Sequence, residues 1–546
     1  MPSDLFVASL TSPAMAEATS GRAWLAAMLE VEAALADAES AAGLVPADAA
    51  VAIRAACQAG RFDIEQIGLE AVVSANPVVP LVKALKRAVP AEAAPYVHLG
   101  ATSQDILDSA LMLIAKRALD LLLGDLDGLA AGCARLAERH RDTVMPGRTL
   151  LQQAVPITFG LKASGWLLGM VAAAERLADL RERRLAVQLG GAAGTLASLG
   201  DAGLEVAAGL ARRLGLGEPP LHWHAERSRI AELGSGLAIA AGAAGKIALD
   251  IMLLAQTEVG EVSEGEPGGS SAMPQKRNPV AAIEADACAR GAAAQLAVLI
   301  ASLRSEHERA AGAWQAEWHA LVEAFRLTAG AVARTRSAVD GLVVDAARMR
   351  SNLGLAGGLV MAEAALTALA VKLGRAKAEE IVRSAAARVG EGSGTLAEAL
   401  AEEPAVAATF SQAELAAALD PTRYLGQAGA LVDRALAAYA KGKRQAMSDE
   451  PREAAADQNY REAVRASLLV DPRPTFENLA ANTGLTYEEV VHHALVRYAS
   501  SGAEALLAIE PQALRELIAA RKAEDWKKVA ALIDWLEAGL DSPHWR

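Results

Sequence analysis

Cysteine and aromatic residues are scarce in this chain of 546 residues. The three cysteines, Cys57, Cys133 and Cys288, have no paired spacing, which argues against a disulfide framework and a zinc site. Aromatic residues make up 4% of the sequence although hydrophobic residues make up 53%. A hydrophobic content carried by small and aliphatic side chains favours helices that pack closely together.

An excess of basic residues is also absent. The chain has 53 Lys and Arg against 66 Asp and Glu, a net charge of −13. Because a nucleic-acid-binding face needs a basic surface, we expect no nucleic-acid partner. Gly or charged residues interrupt every apolar run, and residues 1–4 lack the basic start of a secretory signal. We therefore expect a cytoplasmic protein with no membrane partner.

The hydrophobic pattern has the period of helices, and no segment alternates like a strand. Near the N-terminus, Trp24, Met28, Val31 and Leu35 form one amphipathic stripe. A longer heptad seam predicts a helix through the middle of a bundle and comprises Leu233, Leu237, Ala240, Ala244, Ile247, Ile251 and Leu254. The sequence thus predicts an all-α protein, with nearly the whole chain in helices and loops.

Breaks in this pattern suggest the domain organisation. We predict an N-terminal helical domain (1–105), a central helix bundle with a functional loop at 265–279 (106–345) and a third helical domain (346–442). Residues 443–457 are charged and contain Pro451, which is typical of a linker. Amphipathic patterns return over 458–546 and predict an extra C-terminal helical domain of unknown role.

The segment 268–279, with the sequence GGSSAMPQKRNP, is the passage that indicates chemistry. It combines flexible glycines, the hydroxyls of Ser270 and Ser271 and the cations Lys276 and Arg277, and it leads into a helix N-terminus near Pro279. A serine becomes a base only where cations and oriented dipoles stabilise its alkoxide in a site closed to water. A glycine-rich loop that closes over a substrate provides such a site.

This segment resembles the Gly-Ser-Ser-x-Met-Pro-x-Lys-x-Asn-Pro signature of the fumarase/aspartase superfamily at every fixed position. The resemblance implies that Ser270 is the catalytic base, supported by Lys276 and Asn278. It also implies a homotetramer with a 20-helix core of long central helices, in which each active site is built from three subunits. The implied substrate is a small polycarboxylate, and no metal or organic cofactor is expected.

Two further segments resemble the superfamily. In 98–105, Thr102 and Ser103 match residues that hold a substrate carboxylate, and they also precede a helical pattern that they could cap. In 148–154, Thr149 and Gln152 match site residues, but Leu150 replaces a histidine that moves a proton in relatives, which leaves His98 or a water for this role. The full set of predicted substrate-binding residues is Thr102, Ser103, Arg148, Thr149, Gln152, His224, Ser271, Met273 and Arg277; the predicted catalytic residues are Ser270, Lys276, Asn278 and His98.

Segments 76–82, 190–196, 223–229 and 307–318 resemble the bacterial 3-carboxy-cis,cis-muconate cycloisomerase branch. Two departures leave the substrate open: Leu150 stands where that branch has tryptophan, and Ser228 where it has an aspartate that would orient Arg227 or Arg229. The alternative is a C–N lyase that releases fumarate from nitrosuccinate or an N-substituted aspartate. Adenylosuccinate lyase is disfavoured, because its N-terminal Arg-Tyr pair is absent at Leu10-Thr11.

A function of another class is also open. The segment 475–491 superficially resembles a helix-turn-helix, so the chain could be a regulatory module on a catalytically dead lyase scaffold. However, acidic residues outnumber basic ones across 471–546, and no basic recognition helix is present. The intact set of Ser270, Lys276 and Asn278 also favours an active enzyme.

Overall fold

The computed structural model describes residues 7–269 and 272–443. By its internal contacts the chain divides into one unit at Met1–Tyr439 and a second at Ala440–Arg546. Ser270 and Ser271, the predicted linker beyond residue 443, the predicted domain 458–546 and the segment 475–491 lie outside the described residues. The predicted division of residues 1–442 into three domains remains a prediction.

Short and medium helices make up the N-terminal part of the first unit. The helices are α1 (Val7–Leu10), α2 (Pro13–Ala18), α3 (Gly21–Ala41), α4 (Ala47–Ala56), α5 (Ile64–Ser74) and α6 (Val78–Ala88), with 3-10 turns at Ala59–Arg61 and Ala94–Tyr96. Ser20 begins α3, since its Oγ accepts a hydrogen bond from Ala23 N–H. The predicted stripe on α3 buries Met28, Val31 and Leu35.

Long helices form the centre of the molecule. They are α7 (Ser103–Arg139), α8 (Phe159–Arg183), α10 (Ser228–Leu254), α11 (Val280–Ala301) and α12 (Ala313–Asp340), while the shorter α9 (Gly203–Leu214) packs on α3. Helix α10 contacts α8, α11 and α12, and all seven residues of its predicted heptad seam are buried. Gly245 permits the close contact with α11, because a Cβ there would lie 2.7 Å from the Cβ of Ala289. The predicted all-α class and central bundle are confirmed.

Helix α10 is also long and apolar enough to cross a membrane by length and composition alone, the one such helix among the described residues. Its buried seam and its three helical neighbours are those of a core helix.

Four short strands depart from the sequence prediction of helices and loops. Strands β1 (Val144–Thr149) and β2 (Gln152–Thr158) form an antiparallel hairpin, and β3 (Val262–Glu264) pairs with β4 (Leu342–Val344). Thr149 pairs with Gln152, so Leu150 and Leu151 are a two-residue turn. Their φ values of 51° and 64° are those of a type I′ turn, whose twist suits a hairpin.

The C-terminal part of the first unit has an apolar core of its own, centred on residues such as Met361, Leu369, Ile381 and Leu400. Its helices are α13 (Ala346–Asn352), α14 (Ala362–Leu373), α15 (Arg375–Gly390), α16 (Leu396–Ala401), α17 (Pro404–Ala407) and α18 (Gln412–Ala418), with 3-10 turns at Leu359–Met361 and Pro421–Arg423. A last helix starts at residue 428.

Candidate active site

The predicted carboxylate-binding residues Thr102 and Ser103 lie at the N-terminus of α7. Thr102 is the residue before the helix, and its backbone N–H donates to Oδ2 of Asp105 at 2.9 Å. The expected helix start is confirmed, with Thr102 as the N-cap and Ser103 as the first residue of α7. Both residues are half-buried, at an end of a helix where backbone N–H groups and the dipole favour an anion.

Asp105 connects this turn to two distant segments. Its carboxylate accepts hydrogen bonds from the backbone N–H groups of Gly190 and Gly191, each at 2.9 Å, and contacts Nε2 of His224 at 2.6 Å. Asp105 and His224 are both buried. The sequence-based prediction that His224 belongs to the site thus has a geometric basis, because Asp105 holds it next to the Thr102 turn.

His98 belongs to the same group through a buried carboxylate. Its Nδ1 lies 2.7 Å from Oε1 of Glu32, on α3. Burial alone would lower the pKa of His98, but the charge and hydrogen bond of Glu32, together with the charge of Asp105, outweigh burial and raise it. His98 is therefore held closer to its protonated form than an isolated histidine.

A second buried charge cluster lies one helical turn further along α7. Arg227 is sandwiched between Asp108 (Nη1–Oδ2 2.7 Å) and Glu317 (Nη2–Oε2 2.6 Å), and Trp314 Nε1 donates to Asp108 at 3.0 Å. Ser228 was expected to remove a charge that would orient Arg227 or Arg229; for Arg227 this is wrong, because carboxylates from α7 and α12 orient it. This cluster fixes the chain segment that carries His224.

The hairpin places the next predicted residues at the opposite end of the bundle. Arg148 donates from Nη1 and Nη2 to the two carboxylate oxygens of the buried Glu261, at 2.9 and 2.6 Å. Asn352 Nδ2 donates to the same carboxylate at 2.7 Å. The bonds from Nη1 and Nη2 occupy one edge of the Arg148 guanidinium, so they anchor the hairpin base. A direct contact of Arg148 with substrate remains a prediction.

The hairpin tip is exposed. Thr149 and Gln152 flank it, and the side chains of Leu150 and Leu151 are 96% and 77% exposed. The left-handed backbone conformation is uncommon for residues other than glycine, and monomeric proteins rarely expose large apolar side chains side by side. Leu150 and Leu151 combine both features. The tip therefore presents two large apolar side chains at the surface of the chain.

The loop 265–279 is closed at its neck by two main-chain hydrogen bonds. Gly268 and Asn278 donate to each other's carbonyl oxygen at 2.9 Å in both directions, and Asn278 Nδ2 donates to the carbonyl oxygen of Gly269 at 3.3 Å. Glu264, just before the loop, accepts hydrogen bonds from the first N–H groups of α11, at Ala281 (3.2 Å) and Ala282 (2.9 Å). The predicted helix start near Pro279 is confirmed.

The predicted residues between the two sides of the neck are presented to the outside. Met273, Lys276 and Arg277 are exposed, and Lys276 N–H donates to the carbonyl oxygen of Met273 at 3.0 Å. Ser270 and Ser271 lie outside the described residues, so their predicted roles stay predictions. What the structure describes is a pinched loop that displays two cations.

Helix lengths separate these groups within one chain. Thr102 begins α7 and the hairpin follows its end, and 37 residues at about 1.5 Å each span roughly 55 Å. His224 precedes α10, whereas the loop follows it after 27 helical residues, or roughly 40 Å. Of the predicted residues, the structure brings together His98, Thr102, Ser103 and His224; the hairpin and loop residues lie towards the other end.

Several buried acidic residues that organise these groups were not assigned a role from the sequence: Glu32, Asp105, Asp108, Glu261 and Glu317. One signal was available at the start of α7, where Gln104, Asp105 and Asp108 lie among the apolar residues of the buried stretch 104–115. Polar side chains at core positions need partners, so their presence there indicates a buried network.

No group of three or more His, Cys, Asp or Glu side chains suited to a metal ion occurs among the residues that the structure describes.

Comparisons with known proteins agree with this geometry. Residues 8–296 match the family described as Lyase, and residues 358–435 match that described as Adenylosuccinate lyase C-terminus. The chain is 47% identical over 441 residues to 3-carboxy-cis,cis-muconate cycloisomerase of Pseudomonas aeruginosa, covering 80% of this chain and 96% of that protein. It is 46% identical over 433 residues to nitrosuccinate lyase of Streptomyces davaonensis, covering 77% and 91%.

The fold is similar to that of a solved relative. The crystal structure of 3-carboxy-cis,cis-muconate lactonizing enzyme from Pseudomonas putida aligns with a TM-score of 0.76 at 45% identity, covering 79% of this chain and 98% of that one. A match of this extent includes the signature loop, the turn at Thr102 and the central bundle in one architecture. The chain belongs to the lyase family of the fumarase/aspartase superfamily and is an enzyme of that superfamily.

Proposed function

We propose that this enzyme transfers a proton beside a carboxylate of a small polycarboxylate, with cycloisomerisation of 3-carboxy-cis,cis-muconate as the first candidate reaction. The observation that carries the proposal is the loop 265–279, which contains the intact signature. The loop is pinched between Gly268 and Asn278, and it exposes Lys276 and Arg277. The similarity to cycloisomerases over 80% of the chain supports this choice of substrate.

The chemistry requires a stabilised anion. In the cycloisomerisation a substrate carboxylate oxygen bonds to an alkene carbon, and the electron pair of the double bond moves to the carbon beside a second carboxylate. That carbon then receives a proton. Ser270 donates its hydroxyl proton to this carbon, and Lys276, with Asn278, stabilises the alkoxide that is left.

The remaining predicted residues bind and orient the substrate. The carboxylates are held and the pocket is lined by Thr102, Ser103, Thr149, Gln152, Ser271, Met273 and Arg277. His98 is the candidate proton donor. No metal or organic cofactor takes part, so we expect a chelator to leave the rate unchanged.

The separation of the site residues supports a shared active site. Groups that lie roughly 40–55 Å apart in one chain can meet only if subunits pack with their bundles antiparallel. Helix α11 also exposes Val280, Ile283, Val298 and Ile300 along its length, and α10 exposes Ile239 and Leu249. An apolar helical surface of this kind is typical of an oligomer interface. We therefore infer a cytoplasmic homotetramer whose sites combine residues of three subunits.

A C–N lyase that releases fumarate is the second candidate. The nitrosuccinate lyase relative is 46% identical, close to the value for the cycloisomerase. Leu150 at the hairpin tip, where cycloisomerases have tryptophan, also favours a different pocket wall. In this reaction Ser270 would remove the proton beside a carboxylate, and nitrite or an amine would leave with the electrons of its bond to carbon.

A substrate panel tests the proposal. Purified enzyme is incubated with 3-carboxy-cis,cis-muconate, nitrosuccinate, aspartate, argininosuccinate and adenylosuccinate while ultraviolet absorbance is recorded. Loss of the conjugated absorbance of carboxymuconate alone supports the cycloisomerase. Fumarate formed from a substituted succinate replaces it with the lyase, and a folded tetramer inactive on all five supports the dead scaffold.

The catalytic serine has a matched control. Ser270→Ala should reduce kcat by about 10²–10⁴-fold if Ser270 transfers the proton, since that is the usual cost of losing a catalytic acid-base group. Ser393→Ala, at an exposed serine between α15 and α16, should leave kcat unchanged. Near-normal turnover by Ser270→Ala would show that another residue is the base.

A further inference from the structure

A histidine and a glutamate on separate elements form a buried pair beside the candidate site. His98 Nδ1 lies 2.7 Å from Oε1 of Glu32, 66 residues earlier in the chain. The Glu32 side chain is 1% exposed, whereas that of His98 is 16% exposed. One ring nitrogen is therefore engaged by the protein, and part of the ring still reaches the surface of the chain.

The backbone conformation at His98 also constrains the position of this histidine. His98 has φ +63°, in the left-handed region, and Gly100 follows with φ +66°. A non-glycine residue in this region costs about 1–2 kcal/mol, so surrounding contacts must hold it there. The turn that continues from these residues carries Thr102 and Ser103 into α7.

We propose that Glu32 is a positioning residue that orients the protonated His98 ring through Nδ1, so that Nε2–H serves as the proton donor of the reaction. The inference rests on the proposed function, and it assigns to His98 and Glu32 together the task that a histidine at the position of Leu150 performs in relatives. In the lyase reaction the donated proton goes to the leaving group. In the cycloisomerisation it restores the hydroxyl of Ser270 after that hydroxyl has protonated the carbon.

The charges around His98 favour this state. Glu32 from α3 and Asp105 from α7 both stabilise the imidazolium, while Lys86 from α6 and burial oppose it, and the pKa of His98 is raised on balance. Glu39, one further heptad along α3, does not compete for His98. Burial first, and then the charge of Glu32, raise the pKa of Glu39 to about 9, so it is neutral near pH 7.

Glu32 has a feature that a purely stabilising ion pair does not need. Its second oxygen, Oε2, is buried and has no hydrogen-bond partner among the described residues. A carboxylate that serves stability alone satisfies both oxygens, because an unmet buried acceptor costs free energy. Glu32 thus contacts His98 with one oxygen, while its other oxygen stays buried beside it.

The test separates charge from shape. Glu32→Gln keeps an oxygen that accepts from Nδ1–H but removes the charge. We expect the alkaline limb of the kcat/KM profile of the Glu32→Gln tetramer to lie about one pH unit below that of the wild type. Near neutral pH, kcat should fall about tenfold. Glu39→Gln, a buried glutamate on the same helix, should leave the alkaline limb in place. In a His98→Asn background, adding Glu32→Gln should cause no further loss.

A second measurement requires no substrate. Diethyl pyrocarbonate modifies neutral histidine, so the pH dependence of His98 modification, followed by peptide mass spectrometry, reports its protonation directly. The modification midpoint should move to lower pH in Glu32→Gln. An unchanged midpoint, or a kcat loss equal at every pH, would overturn the positioning role, whatever the substrate panel shows. A shifted midpoint without turnover on any substrate would instead contradict the proposed function alone.

Discussion

His224 and Asp105 stand 119 residues apart, and Nε2 of the one lies 2.6 Å from Oδ1 of the other in a fully buried setting. The same carboxylate accepts three backbone N–H groups, from Thr102, Gly190 and Gly191. One side chain therefore sets the positions of the α7 N-terminus, a glycine-rich turn and a site histidine. The geometry of this end of the bundle depends on its charge.

Asp105→Asn should disrupt this end of the bundle. The amide can accept at one oxygen only and would place an NH₂ group against N–H donors, so we expect the free energy of unfolding to fall by about 2–5 kcal/mol. Turnover should fall with it. Urea denaturation and kcat measurements test this, with Asp201→Asn at an exposed aspartate as the control. A variant as stable as the wild type would contradict the role given to Asp105.

Arg148 should matter for stability through Glu261. In Arg148→Ala the buried Glu261 carboxylate keeps the amide of Asn352 but loses its countercharge, which costs about 3–5 kcal/mol. Glu261→Gln in the same background should recover part of that loss, because a neutral amide is cheaper to bury. A double-mutant cycle by urea denaturation measures the coupling. Additive effects of the two substitutions would show that the pair is not coupled.

Gly194 should not tolerate a side chain. A Cβ at Gly194 would lie 1.9 Å from Nε2 of His222, and the residue has φ +88°. Gly43 also has a positive φ, +78°, but a Cβ there would meet no heavy atom within 4 Å. Both Ala variants bear the left-handed backbone cost of about 1–2 kcal/mol, and Gly194→Ala should lose about 1–3 kcal/mol more through overpacking. Equal melting temperatures for the two variants would contradict the close approach to His222.

Leu150 should influence catalysis without stabilising its own chain. Because its side chain is 96% exposed within the chain, Leu150→Ser should change the stability of the chain by no more than about 0.5 kcal/mol. If the tip lines a neighbour's pocket, KM or kcat should change severalfold. Leu204→Ser, at a 77% exposed leucine on α9, is the control. Steady-state kinetics test this prediction, with size-exclusion chromatography to monitor assembly. Unchanged KM and kcat would show that the hairpin tip is not part of the active site.

The helical part of the fold could be predicted because its signal is local. The α10 seam repeats every three and four residues, so its buried face follows from periodicity alone. The hairpin at β1 and β2 could not be predicted in this way. Its strands contain prolines and Gly147 and do not alternate, and its turn is formed by two leucines, which are not typical of a type I′ turn.

The partners of the site residues also escaped the sequence analysis, for a different reason. Thr102 and Ser103 could be found from a motif, whereas the contacts of His98 with Glu32 and of Arg227 with Glu317 join residues that are 66 and 90 positions apart. No local pattern predicts which buried charges meet, because the packing of whole helices decides it. For this reason the loss of an aspartate at Ser228 suggested an unoriented Arg227 or Arg229, whereas Asp108 and Glu317 orient Arg227.

Glu39 should make the stability of the protein depend on pH. Its pKa is about 9 in the folded protein against an ordinary value of 4.5, because burial and then the charge of Glu32 disfavour its ionised form. Between these values the folded chain holds a proton that the unfolded chain releases. The contribution is therefore fully present below pH 4.5 and is lost as the pH rises towards 9, with a slope of up to about 1.4 kcal/mol per pH unit.

Glu39→Gln should remove this dependence, since the amide is neutral at every pH. The variant should match the wild type near pH 5 and exceed it in free energy of unfolding by a margin that grows towards pH 8. Urea denaturation at fixed protein concentration measures both, because subunit assembly also contributes to stability. Glu92→Gln, at an exposed glutamate, should run parallel to the wild type. A Glu39→Gln curve that also stays parallel would mean that Glu39 is ionised in the folded protein and that some other group balances its charge.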